Sequence, residues 1–68
     1  MKLNSAYIMD NNLYKDKKKT TLGLIEKAME ANPELGDYLK RRIIFNDKNR
    51  TLMYIGVPTV IEELMKGS

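Results

Sequence analysis

The segment RIIFNDKNRTLMYIGV, residues 42–57, decides the fold of this chain. Two short runs rich in β-branched and aromatic residues, at 43–45 and 52–55, flank a polar cluster of hairpin-loop length, which predicts a β-hairpin. Each run is apolar at consecutive positions, and successive side chains of a strand point to opposite faces. The hairpin therefore offers apolar groups on both faces, and the rest of the chain or another chain must cover them.

Length and composition limit the protein to a few classes. The 68 residues form a single domain, 1–68, and an apolar fraction of 43% with a charged fraction of 31% is that of a folded globular protein. Cysteine and histidine are absent, which excludes disulfides and zinc sites built on thiolate or imidazole. No apolar run has the length of a membrane span and no signal-peptide pattern is present, so we expect a cytoplasmic protein.

The N-terminal half of the chain predicts a strand followed by a helix. Residues 3–9 have the composition of a strand that ends in a polar turn, and the weakly apolar residues 13–15 could return as a second strand. A basic, exposed loop is then expected at 15–19. Thr20 or Thr21 can cap a helix that continues to residue 31, because apolar side chains recur there at three- and four-residue spacing.

Two further helices are predicted on either side of the hairpin. Asn32 is a good N-cap and Pro33 suits the first helical position, which predicts a helix over 33–42. Thr59 and Glu62 match the capping-box spacing at the start of a short C-terminal helix. The order is β-α-α-β-β-α, and we predict a small α+β domain with a three-stranded, mostly antiparallel sheet and helices on one face.

Catalytic and metal-binding patterns are weak throughout the sequence. Glu62 and Glu63 are adjacent, so on a helix their side chains diverge by about 100 degrees and do not converge on a substrate. Asp10, Asn12 and Asp16 could offer oxygen ligands, but the glycine and the distal glutamate of a calcium-binding loop are missing, and an Asx turn explains them better. We therefore predict a protein that is not an enzyme and holds neither a metal nor a cofactor.

A cluster of lysines supports one functional hypothesis, the binding of nucleic acid. Cations that precede a helix N-terminus oppose the helix dipole, so their presence indicates either an outside partner or a solvated loop that keeps the chain soluble. A net charge of +3 permits contact with nucleic acid without requiring it. The candidate residues are the lysines of the predicted loop and the basic residues of the hairpin tip: Lys15, Lys17, Lys18, Lys19, Lys48 and Arg50.

The order of elements adds to this hypothesis. Two helices at 20–31 and 33–42, followed by a hairpin with a basic tip, resemble the layout of a winged helix-turn-helix domain, which implies DNA binding through the second helix. The resemblance is one of element order, with no specific motif. It also departs from the pattern, because Glu34 and Asp37 at the start of that helix would face the phosphates, and the linker is Asn32 alone.

The apolar pattern of the hairpin favours a protein partner instead. Ile44 and Phe45 cannot both face the helices, and neither can Met53 and Tyr54, because neighbours along a strand alternate. Unless the N-terminal segment folds over the second face, these residues offer a contact surface. We therefore expect a small non-enzymatic regulatory protein that docks on a protein partner through these four residues, and a homodimer is one form of such docking. Compact inhibitors of the kind that viruses and mobile elements encode fit this description.

Overall fold

The computed structural model describes the backbone of residues 2–66 and the side chains of residues 4–66. The observed order β-α-α-β-β-α and the three-stranded antiparallel sheet with helices packed on it confirm the predicted α+β fold. The elements along the chain are β1 (Lys2–Ile8), α1 (Asn11–Ala31), α2 (Pro33–Arg42), β2 (Ile43–Asn46), β3 (Thr51–Pro58) and α3 (Thr59–Lys66).

The last strand of the chain is the central strand of the sheet. The strand order is β1-β3-β2, and both pairs are antiparallel. The register of β1 shifts between Leu3 and Asn4, which places Gly56 out of register between Ile55 and Val57. Gly56 has a φ of 67°, a left-handed conformation that favours glycine, and its N–H donates to the side-chain oxygen of Asn4 at 2.8 Å. The side chain of Asn4 therefore satisfies the backbone N–H of Gly56 at the point where the strand register shifts.

The start of α1 differs from the sequence-based expectation. The helix begins at Asn11, so the prediction that Thr20 or Thr21 caps it is wrong. Asp10 is the N-cap, and its carboxylate accepts a hydrogen bond from the N–H of Leu13 at 2.8 Å. Asp is among the preferred N-cap residues, and no proline follows that would interrupt the helix.

The basic stretch 15–19 is consequently helical, and the prediction of a loop there is wrong, as is a return strand at 13–15. Lysine has a good helix propensity, which outweighs the unfavourable position of the cations near the positive end of the dipole. Tyr14 is only 3% exposed, and its hydroxyl donates to the carboxylate of Asp47 in the hairpin turn. This tertiary contact holds the first half of α1 against the hairpin.

The other two helices lie where the sequence predicts them. The side chain of Asn32 accepts a hydrogen bond from the N–H of Leu35 at 3.3 Å and caps α2, which begins at Pro33. The third helix begins at Thr59, with Glu62 in its first turn. The capping box between these two residues stays a prediction.

The hydrophobic core lies between the three helices and one face of the sheet. The two longer helices, α1 and α2, pack closely against each other. A Cβ added to Gly36 of α2 would lie only 2.5 Å from the Cα of Met29 on α1, so a larger residue does not fit at this position without a shift. None of the helices between residues 2 and 66 combines the length and the hydropathy that a membrane span requires. The buried cluster consists of Ile25, Leu39, Ile43, Leu52, Tyr54, Val57 and Met65.

Candidate protein-binding surface on the open sheet face

Strand pairing divides the apolar side chains of the sheet between two faces. Residues paired across neighbouring strands share a face, and Ile44 and Ala6 both pair with Met53. By alternation along their strands, Ile55 and Ile8 belong to the same face. We call this set the open face; its members are Ala6, Ile8, Ile44, Met53 and Ile55.

The open face is apolar and accessible. Ile8 is 77% exposed, Ile55 43% and Ile44 39%, while Met53 is half-buried and Ala6 exposed. The helix residues of the core pack against the opposite face, which carries Ile43, Leu52 and Tyr54 and which we call the covered face. None of these five side chains is charged, and the polar residues that share the face by the same alternation, Asn4, Asn46 and Thr51, lie towards the strand ends. The face therefore offers apolar contact over the middle of the sheet.

The four predicted contact residues are split between the two faces. Ile44 and Met53 lie on the open face. Tyr54 is only 2% exposed within the core, and Phe45 is half-buried against it. In each pair of chain neighbours, one side chain lies on the open face and the other on the covered face, because side chains alternate between the two faces along a strand. Their role in binding a protein stays a prediction, and Ile44 is the one exposed member of the four.

Sequence reasoning missed three members of the open face. Ile55 could have been found, because it lies two residues after Met53 and therefore points to the same side. Ile8 and Ala6 could be assigned only after β1 was known to pair with β3, a pairing between distant segments. The N-terminal segment does not cover the second face within residues 2–66; it extends the sheet beside β3.

The structure brings together only part of the predicted nucleic-acid site. The Nζ of Lys18 lies 2.9 Å from the carboxylate of Asp47, which places this part of α1 beside the hairpin turn that carries Lys48 and Arg50. Lys15 lines the same crevice as Lys18. Lys17 points to another side of the helix, towards β1 and α3. The sixth residue, Lys19, is exposed on α1.

Electrostatics at the hairpin turn weaken this basic surface. Burial and the neighbouring Asp47 carboxylate raise the pKa of Tyr14 to about 12. Hydrogen bonds from Lys18 and Tyr14 hold the pKa of Asp47 below its usual value, so this carboxylate is ionised at neutral pH. An ionised Asp47 offsets the charge of Lys18, which leaves less positive potential for phosphate groups than the sequence suggests.

Comparison of the chain with protein-family models, with curated proteins and with solved structures found no match. Among residues 2–66, no group of three acidic side chains is arranged to hold a metal ion. The exposure, charge and packing of the chain's own residues are therefore the basis for a functional assignment. The five named side chains of the open face are apolar and uncharged, and four of them are exposed.

Proposed function

We propose that this chain is a small non-enzymatic regulatory protein of the cytoplasm that docks on a protein partner through the open face. One observation carries the proposal: Ile8, Ile44 and Ile55 are 77%, 39% and 43% exposed on one face of the sheet, where none of the described side chains is charged. Contiguous apolar surface of this kind is typical of protein-protein contacts, whose centres are depleted of charged residues. Inhibition of a larger protein by steric blocking is the regulatory action that suits so small a domain.

The chemistry of the open face favours a protein over a nucleic acid. A nucleic-acid interface is made mainly of cations that contact phosphates, and the open face has none. β-branched side chains on a pleated surface pack well against the apolar side chains of another protein. A second copy of the chain is one such partner, because a twofold contact requires only one self-complementary patch.

Nucleic-acid binding is the second candidate, and the neighbourhood of α1 and the hairpin turn favours it. Lys18 contacts Asp47, which brings the lysines of α1 close to the turn that contains Lys48 and Arg50. The same contact removes part of the positive charge. We therefore expect at most weak, non-specific binding that disappears near physiological salt.

A matched pair of variants tests the main proposal. Ile55→Glu places a charge on the open face, and Leu22→Glu places the same charge on α1 at a side chain of nearly equal exposure, 43% against 44%. The wild-type protein and both variants are immobilised and exposed to lysate with and without nuclease. Circular dichroism first establishes that all three are folded.

The expected result is a captured protein that the wild type and Leu22→Glu retain, that Ile55→Glu loses, and that nuclease does not release. Equal capture by the two variants would contradict the open face as the docking surface. Capture that nuclease abolishes, or submicromolar binding of a mixed DNA and RNA pool at physiological salt, would favour the second candidate.

Light scattering separates self-association from docking on another protein. A mass above 7.9 kDa at micromolar concentration that returns to the monomer value in Ile55→Glu identifies a second copy as the partner. A wild-type monomer assigns the open face to a different protein. Self-association that Leu22→Glu disrupts and Ile55→Glu preserves would place the contact on α1 and contradict the proposal.

A further inference from the structure

A pocket lies at the edge of the sheet beside β1, and two members of the open face, Ala6 and Ile8, are among its lining residues. The pocket measures about 420 Å³ and opens between β1, the first half of α1, β3 and the end of α3. Its apolar lining includes Ile8 of β1, Leu13 of α1, Leu52 of β3 and Met65 of α3, so every one of the surrounding segments contributes to it. Sites for small ligands typically measure about 300–1,000 Å³ and are lined mainly by apolar side chains with a few polar groups. The pocket has both properties.

The charged residues that line this pocket are two lysines, Lys17 of α1 and Lys66 of α3. Lys66 donates to the hydroxyl of Tyr7 at 3.1 Å, and its Nζ lies 4.9 Å from the centre of that ring. The hydrogen bond raises the pKa of Lys66, so the ammonium group stays charged at neutral pH. Lys17 has no ion-pair partner among the described residues, which leaves its charge available to a ligand.

We propose that this pocket binds a small amphipathic anion, with its apolar body against Leu52 and Met65 and its acidic head group paired with Lys17. The charge pattern of the lining supports the sign, because two cations and no carboxylate attract an anion and repel a cation. The apolar lining supports the body of the ligand, because burial of its surface provides the larger part of the affinity.

The position of Glu62 assigns the head group to the α1 side of the pocket. This carboxylate is 4% exposed on α3, one turn before Lys66, and its Oε1 has no hydrogen-bond partner among the residues that the structure describes. Burial and the nearby charge of Glu62 raise the pKa of Tyr54, which lines the pocket. A ligand anion close to Lys66 would be repelled by this carboxylate. Lys17 lies on a different helix and therefore offers the more favourable pairing.

Three probes with the same eight-carbon chain test the proposal: octanoate, octan-1-ol and octylammonium. Each is titrated into the wild-type protein below its micelle concentration or, for octan-1-ol, below its solubility limit, and binding is followed through the methyl resonances by nuclear magnetic resonance. We expect octanoate to shift the signals of Leu52 and Met65 and to bind at least about tenfold more tightly than the other two probes, a difference of about 1.4 kcal/mol. Equal binding of the three probes would overturn the proposal.

Two lysine variants locate the head group. Lys17→Met removes the charge and keeps most of the aliphatic chain, and it should reduce octanoate affinity about tenfold, to that of octan-1-ol. Lys27→Met is the matched control, because Lys27 is an exposed lysine of the same helix that does not line the pocket. Equal effects of the two variants would overturn the assignment to Lys17.

A third variant separates this inference from the proposed function. Ile55→Glu alters the open face and leaves the pocket lining intact, so its octanoate affinity should equal that of the wild type. Octanoate shifts at Ile44 and Met53, which belong to the open face and do not line the pocket, that vanish in Ile55→Glu would show that the probe binds on the open face, and would overturn the pocket as the anion site. Loss of protein docking alone would leave the pocket unaffected.

Discussion

Both faces of the sheet carry large apolar side chains, and the faces differ in what packs on them. Ile43 and Ile44 are neighbours in the chain, yet the first is 4% exposed on the covered face and the second 39% exposed on the open face. On the central strand, Tyr54 and Ile55 differ in the same way, at 2% and 43%. Residue hydrophobicity alone therefore does not distinguish the core from the contact surface in this chain. The position of the helices distinguishes them, because the face that the helices cover is the face whose burial stabilises the fold.

The largest effect on stability is expected at Tyr54, the largest of the fully buried side chains. Tyr54→Ala should lower the free energy of unfolding by about 3–5 kcal/mol, because it leaves a cavity between the sheet and the helices. Ile55→Ala, its neighbour on the open face, should cost about 1 kcal/mol or less. Urea denaturation of the two variants measures the difference. Equal losses would contradict the contrast between the faces.

The covered face also depends on how closely α1 and α2 pack above it. Gly36→Ala would force a methyl group against the backbone of Met29, at 2.5 Å from its Cα, and should cost about 1–3 kcal/mol. Gly23→Ala is the matched control, because no atom lies within 4 Å of the added methyl group and α1 gains about 0.5–1 kcal/mol of helix propensity.

Thermal denaturation should therefore show opposite shifts for the two glycine variants. Gly36→Ala lowers the melting temperature, and Gly23→Ala raises it. A neutral or stabilising Gly36→Ala would mean that the helix layer can move apart without loss of core contacts. Close packing of α1 against α2 would then not be required for the helices to cover the sheet.

A smaller effect is expected where the helix layer is tied to the hairpin turn. Tyr14→Phe removes the hydrogen bond to Asp47 and should cost about 1 kcal/mol at neutral pH. The pKa of Tyr14 is raised from 10.0 to about 12 in the folded protein, so its contribution is complete below pH 10 and is lost as the pH rises towards 12.

Urea denaturation at pH 7 and at successive values above pH 10 measures this contribution. The difference in stability between the wild type and Tyr14→Phe should shrink in the alkaline range, because the folded protein disfavours the ionised phenol. A difference that stays constant up to pH 12 would contradict the buried, hydrogen-bonded environment of Tyr14.

The smallest effect on stability is expected on the open face. Ile44→Thr keeps the β-branch and should change the free energy of unfolding by about 0.5 kcal/mol or less, since the side chain is 39% exposed. Ile43→Thr, one residue earlier, places a hydroxyl in the core and should cost clearly more. Chemical denaturation compares the two. A large loss in Ile44→Thr would mean that the open face contributes to the fold of the monomer.

Local chemistry accounts for the elements that sequence analysis predicted correctly. Asn32 and Pro33 determine the start of α2 because the side chain of one caps the helix and the ring of the other suits its first turn. The hairpin follows from two β-rich runs and the polar turn between them. The predicted start of α1 is wrong because Asp10 is as good an N-cap as Thr20 or Thr21, and the lysines between them are good helix formers that continue the helix.

Local sequence patterns were sufficient to predict the order of the elements, the antiparallel hairpin and the apolar groups on both of its faces. Three features are visible only in the folded chain: β1 pairs with β3, the helices cover the face of Tyr54, and Ile8 lies with Ile44 and Ile55 on the other face. Sequence patterns do not predict these features, because pairing and packing between distant segments depend on the total apolar area that one arrangement buries. A local sequence pattern shows which residues are apolar, but it does not show which distant segments of the chain will cover them.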